Sequence, residues 1–406
     1  SDDIVLSFVD IQDSYACVEM SHGRLDISNS HLHRSRWGIM ADTCDIRIDR
    51  VEIDHIYMEM VHHTGGNNAV VRSSRFALGS TPDMRSADML DFDHVTNVEV
   101  TNCSFFSSGD DAIDMDWVAH ARITGNRIYG LGDKGISLDG DETDIYIANN
   151  IITHCDRGIS IRFLSGVVLY NNVIAFNRYS GIRVDYFGGD GGNALVRNCV
   201  LWDNGMEIEL GDPGATIDIA YSLVDGDEPY EGEGNLNDDP RYIDVWNNNY
   251  FPMDDSPLID AGFGTNYPER DKNGAPRTDM PYINNSGAGD ISYIDIGVYE
   301  FGSVGYVNDP VQPPKSYDLL EIYPNPFNSQ VRILFSVLRG TFAEIAIYDV
   351  RGRLVYKHDF NGIGIGDHSF VWNGRNNSGI LLGSGVYFCR VIQSGNENIR
   401  KLVLIR

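Results

Sequence analysis

Hydrophobic residues recur with a period of 23 residues in the first half of the chain. The period is carried by five hexapeptides, DMLDFD, DAIDMD, KGISLD, RGISIR and SGIRVD, which begin at Asp88, Asp111, Lys134, Arg157 and Ser180. The third and fifth residues of each are apolar, and residues two apart lie on the same side of a strand. The pattern predicts one short strand per repeat, with the apolar pair facing inward and the polar residues facing outward.

A second strand follows in each repeat, and an asparagine recurs near its end, with a register uncertain by one residue. The column is Asn102, Asn126, Asn149, Asn171 and Asn198. An asparagine repeated at a bend can hydrogen-bond the backbone and stack on the next one. Helical periodicity is nearly absent. The pattern predicts an all-β fold, a parallel β-helix whose turns stack about 4.8 Å apart, and residues 1–300 resemble the right-handed parallel β-helix proteins.

The period is lost after about residue 225. Three motifs follow, SPLIDAG from Ser256, GAPR from Gly274 and DIGVYE from Asp295. They resemble the closing segment of many bacterial secreted β-helices. Because the end of a solenoid exposes an apolar face and a strand edge, we expect residues 225–302 to form an irregular cap on a β-helix domain of residues 1–302.

The last part of the chain has a different character. Residues 303–318 are rich in proline and glycine and are predicted to be a linker. Residues 319–406 alternate in polarity between turn signals, which predicts a small β-sandwich. They resemble the C-terminal sorting domain of type IX secretion cargo and the FlgD-like immunoglobulin domain through YPNPF at Tyr323, WNG at Trp372 and SGVY at Ser384. This resemblance implies recognition by the secretion machinery and a location on the bacterial surface or in the medium.

The amino-acid composition argues against some classes of binding partner. The net charge of −28 and the pI of about 4.5 argue against nucleic acid, which needs a basic surface. No run of 18 apolar residues is present, so no membrane span is predicted. No signal peptide is visible after Ser1, and we expect it to have been removed or to precede this sequence. The six scattered cysteines are expected to be buried thiols, with disulfides as the alternative.

The outward positions of the hexapeptides are acidic in the first repeats. Stacked turns bring these carboxylates within about 5–10 Å of one another, and like charges at such distances repel unless their pKa values rise or a cation lies among them. Hard oxygen ligands suit Ca²⁺, which takes six to eight of them. The predicted calcium ligands are Asp88, Asp110, Asp111 and Asp114. The alternative is an acidic, solvated surface without metal.

The same face becomes basic in the following repeats. Acids followed by lysine and arginine are the arrangement expected for cleaving an anionic sugar. Lys134 is the predicted catalytic base, with Arg157 as second choice. Arg162 and Arg183 are expected to hold substrate carboxylates, and Tyr186 to line the cleft. The alternative is that these cations neutralise acids one turn away.

The stretch SGDDAIDMDW resembles a motif of the calcium-dependent family 9 polysaccharide lyases. The resemblance implies that Asp110, Asp111 and Asp114 bind calcium with Asp88 from the preceding turn. The family's catalytic lysine falls in the column of Asp114, where this chain has Ser137. The stretches GDKGISLDG and RGIS resemble β-helix segments that accompany spore-coat kinase-like modules of bacteria.

Two classes of function follow. The first is a secreted enzyme that cleaves an acidic polysaccharide by calcium-assisted β-elimination, or hydrolyses it with two carboxylates such as Asp116 and Asp139. The second is a non-catalytic adhesin, glycan-binding protein or structural protein that associates end to end. His31 with His33, and His62 with His63, are potential metal ligands, although exposed histidines without metal are the commoner case.

Overall fold

A computed structural model describes residues 3–79, 87–140, 144–162, 166–185, 193–245, 248–302, 320–323, 325–328, 330–337, 342–361, 366–393 and 396–405. The predicted cleft residue Tyr186 and the predicted linker 303–318 lie outside them. The chain divides into two compact units, Ser1–Val311 and Gln312–Arg406. In the described part, regular structure consists of β-strands, and no helix is long and apolar enough to cross a bilayer.

The first unit is a solenoid of about nine turns with roughly 23 residues in each. Its strands, in chain order, are β1 (Asp3–Ser7), β2 (Asp10–Gln12), β3 (Ala16–Ser28), β4 (His31–His33), β5 (Trp37–Asp49), β6 (Glu52–Asp54), β7 (Val61–Thr64), β8 (Asn68–Arg72), β9 (Arg75–Ala77), β10 (Leu90–Asp93), β11 (Asn97–Thr101), β12 (Ser104–Ser108), β13 (Ile113–Asp116), β14 (His120–Thr124), β15 (Arg127–Leu131), β16 (Lys134–Asp139), β17 (Asp144–Ala148), β18 (Ile151–Thr153), β19 (Arg157–Arg162), β20 (Val167–Tyr170), β21 (Val173–Ala175), β22 (Ser180–Asp185), β23 (Asn193–Arg197), β24 (Val200–Trp202), β25 (Ile208–Leu210), β26 (Thr216–Ala220) and β27 (Leu223–Val224).

Equivalent strands of successive turns pair in parallel and form three columns. The first column contains the start of β3 and β5, then β7, β10, β13, β16, β19, β22 and β25. The second contains β1, the end of β3 and β5, then β8, β11, β14, β17, β20, β23 and β26. The third contains β2, β4, β6, β9, β12, β15, β18, β21, β24 and β27. The predicted parallel β-helix is confirmed.

The predicted register of the hexapeptides is also confirmed. Leu90 pairs with Ile113, and the same column continues through Ile136, Ile159 and Ile182. All five side chains are fully buried, as are their apolar neighbours two residues on. Because the apolar pairs fill the interior, the polar residues between them must lie on the outer face of the first column.

A buried asparagine ladder runs beside the interior. Nδ2 of Asn126 donates to Oδ1 of Asn150, and Nδ2 of Asn150 donates to Oδ1 of Asn172, both at 3.0 Å. Each amide also satisfies backbone groups of the neighbouring turns. The prediction was therefore one residue out of register, because it grouped Asn126 with the neighbouring column of Asn102, Asn149, Asn171 and Asn198.

That neighbouring column has a left-handed backbone, with φ between 51° and 56° at its four asparagines. Asparagine tolerates this conformation better than most residues. The side chains hold the segment after the solenoid: Nδ2 of Asn171 donates to the carbonyl of Asp295 at 2.9 Å, and Nδ2 of Asn198 donates to that of Phe263 at 3.0 Å. The asparagines at the bend therefore also bind the segment that follows the solenoid.

The closing segment lies along the flank of the solenoid more than over its end. Tyr230 packs against the main core, and Leu236 pairs with Leu223 of the last turn, so only this first part covers the end. The rest contains β28 (Tyr242–Asp244) and β29 (Asn249–Pro252) and packs on outward residues of the last turns, in a cluster that includes Tyr250. The first part of residues 225–302 thus lies against the last turn, and the rest packs beside the solenoid.

The second unit is the expected β-sandwich. One antiparallel sheet has three strands, β30 (Leu320–Tyr323), β31 (Val331–Val337) and β34 (Gly366–Trp372). The other has four, β32 (Phe342–Asp349), β33 (Leu354–Asn361), β35 (Gly385–Gln393) and β36 (Asn396–Leu404). Its core is separate from that of the solenoid and contains Phe327, Phe335, Ile345 and Trp372.

Candidate functional site

The corner before the first column is built from aspartates that bind the backbone of the next turn. The amide of Asp111 donates to Oδ1 of Asp88 at 2.9 Å, and the amide of Lys134 donates to Oδ1 of Asp111 at 2.6 Å. These bonds are the carboxylate counterpart of the asparagine ladder. They hold Asp88 and Asp111 at the start of consecutive strands, with Asp111 only 3% exposed.

The predicted calcium ligands lie on one face. Carboxylate oxygens of Asp88, Asp110 and Asp111 are all within 4.8 Å of one another. Asp114 follows on β13, where it pairs in register with Asp91 of the preceding turn. Oδ1 of Asp114 is buried and has no hydrogen-bond partner among the described residues. The site therefore brings several carboxyl oxygens close together at a largely buried position.

Crowding and burial raise the pKa values of these acids. Burial, followed by the charges of Asp111, Asp114 and Asp110, raises the pKa of Asp88 to about 10. Burial raises the pKa of Asp111 to about 7 despite the opposing charge of Lys134. Burial and Asp116 raise the pKa of Asp114 to about 6. At neutral pH the cluster therefore has a strong tendency to take up either protons or a cation.

Lys134 is the cation that the protein itself supplies to this cluster. Its Nζ lies 3.0 Å from Oδ2 of Asp111 and 2.8 Å from Oδ2 of Asp133. Burial opposes its charge, but the two carboxylates outweigh burial and raise the pKa of Lys134 above its ordinary value. This geometry favours the alternative that Lys134 neutralises neighbouring acids over the predicted role as base.

The three predicted arginines differ in how fully the protein occupies them. Arg183 binds Asp185 through two nitrogens, at 2.7 and 2.9 Å, and binds Glu209 with a third, at 2.7 Å. Arg162 pairs with Asp139 at 2.9 Å, but its buried Nε lacks a hydrogen-bond partner in the described part of the chain. Arg183 is consequently the least suited of the three to hold an external anion.

Arg157 has the weakest internal contacts. Its closest carboxylate atoms, on Asp133 and Glu209, are at 3.6 and 3.8 Å, and its buried Nε has no hydrogen-bond partner among the residues described. Its guanidinium lies 5.4 Å from the ring centre of Tyr179, which is 42% exposed. Tyr179 was not among the residues predicted from the sequence, although an exposed aromatic ring beside an arginine is suited to bind a sugar ring.

A histidine extends the site on the acidic side. Nδ1 of His62 lies 2.7 Å from Glu59 and 2.6 Å from Asp91, and hydrogen bonds to both raise its pKa to about 10. His63, by contrast, points inward, is fully buried and donates to the carbonyl of Cys44. The 23-residue period does not connect His62 with Asp91, because the two residues are 29 positions apart.

Two family models match parts of the chain. Residues 88–228 match the model of the right handed beta helix region, and residues 321–405 match that of the secretion system C-terminal sorting domain. The second match confirms the expected sorting domain of type IX secretion and implies interaction with the secretion machinery. The chain is therefore a secreted or bacterial cell-surface protein with a right-handed parallel β-helix.

Two solved structures are similar in part. PorZ, a surface component of the type-IX secretion system of Porphyromonas gingivalis, is 26% identical over 22% of this chain and 12% of its own, with a TM-score of 0.18. Tailspike protein 2 of Escherichia coli O157:H7 bacteriophage CAB120 is 8% identical over 98% and 64%, with a TM-score of 0.32. The chain thus spans only part of each, and such scores carry no functional argument. No curated protein matches it.

Proposed function

We propose that this surface protein binds an acidic polysaccharide along the first column, with Ca²⁺ held by Asp88, Asp110, Asp111 and Asp114. The observation that carries the proposal is the cluster itself: three carboxylates have oxygens within 4.8 Å of one another, and the neighbouring Asp114 has a buried oxygen without a partner among the described residues. Burial and mutual repulsion raise the pKa values of Asp88, Asp111 and Asp114, and a bound cation would oppose both effects.

The donor set fits calcium. All of the ligands are carboxylate oxygens, which calcium prefers, and its coordination number of six to eight leaves room for oxygens of a ligand. Bound calcium would supply a positive charge for a uronate carboxylate. On the basic side, Arg157 and Arg162 each have a buried nitrogen without a hydrogen-bond partner among the described residues, so they are the residues we expect to bind further carboxylates.

Calcium binding can be tested on the full chain after treatment with a chelator. We expect calorimetry to detect calcium binding that Asp111→Asn weakens at least tenfold. Asparagine at this position can still accept the amide of Lys134, so the ladder is retained. Asp238→Asn, at an exposed acid in the segment after the solenoid, should bind calcium as the wild type does. Equal affinity for all three proteins would contradict the proposed site.

Polysaccharide binding is tested separately with pectate, alginate and a neutral glucan as control. We expect calcium-dependent retention on the uronates only, and a loss of retention in Arg157→Gln. The substitution keeps a polar side chain but removes the charge. Binding that is equally strong in chelator, or on the neutral glucan, would overturn the proposal.

Cleavage by β-elimination is a second candidate, because Nζ of Lys134 lies 3.0 Å from the predicted calcium ligand Asp111. To act, Lys134 must be neutral and accept the proton next to the uronate carboxylate while the glycosidic oxygen leaves. Because Asp111 and Asp133 stabilise the charged form of Lys134, this is the weaker candidate, and it requires that the ultraviolet absorbance of an unsaturated product form in calcium and be lost in Lys134→Gln. Retention on pectate without this absorbance would reject cleavage and leave binding intact.

A further inference from the structure

A second group of metal-binding side chains lies on the third column, in the first turns of the solenoid. His31 and His33 alternate on β4 and point outward. The preceding turn contributes Asp10, which pairs in register with His31. The following turn contributes Glu52 and Asp54, which pair with His31 and His33. None of these residues belongs to the acidic face of the first column.

The two imidazoles and the carboxylates converge closely. Nε2 of His31 lies 2.6 Å from Oδ2 of Asp54, and Nε2 of His33 lies 2.7 Å from Oδ1 of Asp10. The rings stack with their centres 4.0 Å apart and their planes at 3°. Ligand atoms of Asp10, His31 and His33 are within 4.8 Å of one another, as are those of His31, Glu52 and Asp54. His31 is common to both sets.

The contacts around Glu52 and Asp54 show which of these carboxylates is available to bind a metal ion. Glu52 is engaged by Arg75 from the next turn, so it is the least available ligand. Asp54 is 8% exposed, and its second oxygen accepts a hydrogen bond from His55. A carboxylate that a neighbouring group orients through a hydrogen bond is suited to be a metal ligand.

We propose that Asp10, His31 and His33, whose ligand atoms lie within 4.8 Å of one another, bind a divalent transition-metal ion, with Zn²⁺ as the probe and with Asp54, which contacts His31, as the expected fourth ligand. Two imidazole nitrogens and two carboxylate oxygens form a mixed set that suits zinc, which is usually four-coordinate. The ion would replace the protons shared between each imidazole and its carboxylate. With bonds of about 2.0–2.1 Å, the nitrogen and oxygen of each pair would separate from the present 2.6 and 2.7 Å to about 3.3 Å.

Zinc at this position links three consecutive turns. Asp10, the two histidines and Asp54 belong to β2, β4 and β6, three short strands that pair in register. Binding to the folded chain alone stabilises it by mass action. We therefore expect zinc to raise the melting temperature of the full chain, while calcium acts at the oxygen-only site of the first column.

The test is calorimetry of the full chain with ZnCl₂ after removal of metals. We expect one zinc ion at this site, and a loss of affinity of at least tenfold in His31→Gln and in His33→Gln. His120→Gln is the matched control, because His120 is exposed on another face and faces a single carboxylate, Asp144. Absence of zinc binding in the wild type, or unchanged binding in both variants, would overturn the proposal.

Two further measurements separate ligand loss from damage to the fold. Asp10→Asn changes a side chain that is 67% exposed, so it should keep the metal-free melting temperature and still lose zinc affinity. Cobalt added in place of zinc should give visible absorption bands in the wild type that disappear in Asp10→Asn. A loss of zinc binding only in His62→Gln would assign the ion to the cluster of Glu59, His62 and Asp91 and reject this site.

Discussion

At the scale of single residues, the acidic cluster makes stability depend on pH. The ordinary pKa of an aspartate is 3.8, and that of Asp88 in the folded chain is about 10. As pH rises between these values the unfolded chain releases a proton that the folded chain keeps. The free energy of unfolding therefore falls with rising pH across this window. A group that is favourable for binding a cation is thus unfavourable for the metal-free fold.

Asp88→Asn should remove this dependence. Its side-chain oxygen can still accept the amide of Asp111, and it carries no ionisable group. Without calcium we expect the variant to be more stable than the wild type at about pH 8, on the order of 1–3 kcal/mol, with little difference near pH 4. Thermal unfolding in chelator across this range measures it. Parallel pH profiles for the two proteins would contradict the assignment of the raised pKa to Asp88.

At the scale of elements, the asparagine ladder bonds successive turns where the backbone bends. Asn150 donates to the carbonyl of Ile123 at 2.8 Å and accepts the backbone amide of Asn126 at 2.9 Å. Asn150→Ala leaves both groups buried without partners, and each costs about 1–3 kcal/mol. We expect a loss of roughly 2–5 kcal/mol in urea unfolding.

The control for this prediction is Asn68→Ala. Asn68 is exposed on β8 and bonds Asp45 at 3.2 Å, so its removal should change stability by less than about 1 kcal/mol. A similar loss in both variants would mean that the ladder contributes no more than a surface hydrogen bond.

The sequence predicted the columns because each step from Asp88 to Ser180 has the same length. The inward and outward faces then followed from alternation alone, and so did the neighbouring positions of Asp88 and Asp111. The asparagine register could not be fixed, because consecutive asparagines such as Asn149 and Asn150 fit the same pattern. One has the left-handed conformation that bends the chain, and the other points into the ladder.

Side-chain partners with other spacings could not be predicted. His62 meets Asp91 after 29 residues, and the first turns repeat at 21, as between Ser7 and Ser28. A spacing of 23 residues therefore does not bring Asp91 to His62, although it does relate Asp10 to His33 of β4. The pairing of Lys134 with Asp133 was missed for another reason, since it depends on the side-chain conformation of adjacent residues.

At the scale of the whole molecule, the segment that flanks the solenoid contains a buried ion pair. Arg277 binds Glu300 at 3.0 Å, with side chains 2% and 0% exposed. Arg277→Met leaves the buried carboxylate of Glu300 without its cation, and we expect the free energy of unfolding to fall by about 3–5 kcal/mol. Arg277→Met combined with Glu300→Leu should recover part of this loss. Urea unfolding measures both, with Arg241→Met as control at the exposed pair with Asp255. No recovery in the double variant would show that the arginine acts by packing.

The two units have different roles: the solenoid carries the proposed binding sites, and the second unit carries the sorting signal. The solenoid has its own core and carries both proposed cation sites, whereas residues 321–405 match the sorting domain and have a separate core. A chain ending at Val311 should therefore fold and keep the calcium response of the full chain. Expressed with its export leader in a bacterium with a type IX system, it should stay in the periplasm, while the full chain reaches the surface. Fractionation and thermal unfolding in calcium measure the two properties independently. If the shortened chain reached the surface, the sorting signal would lie in the solenoid. If it lost the calcium response, the second unit would be needed for calcium binding.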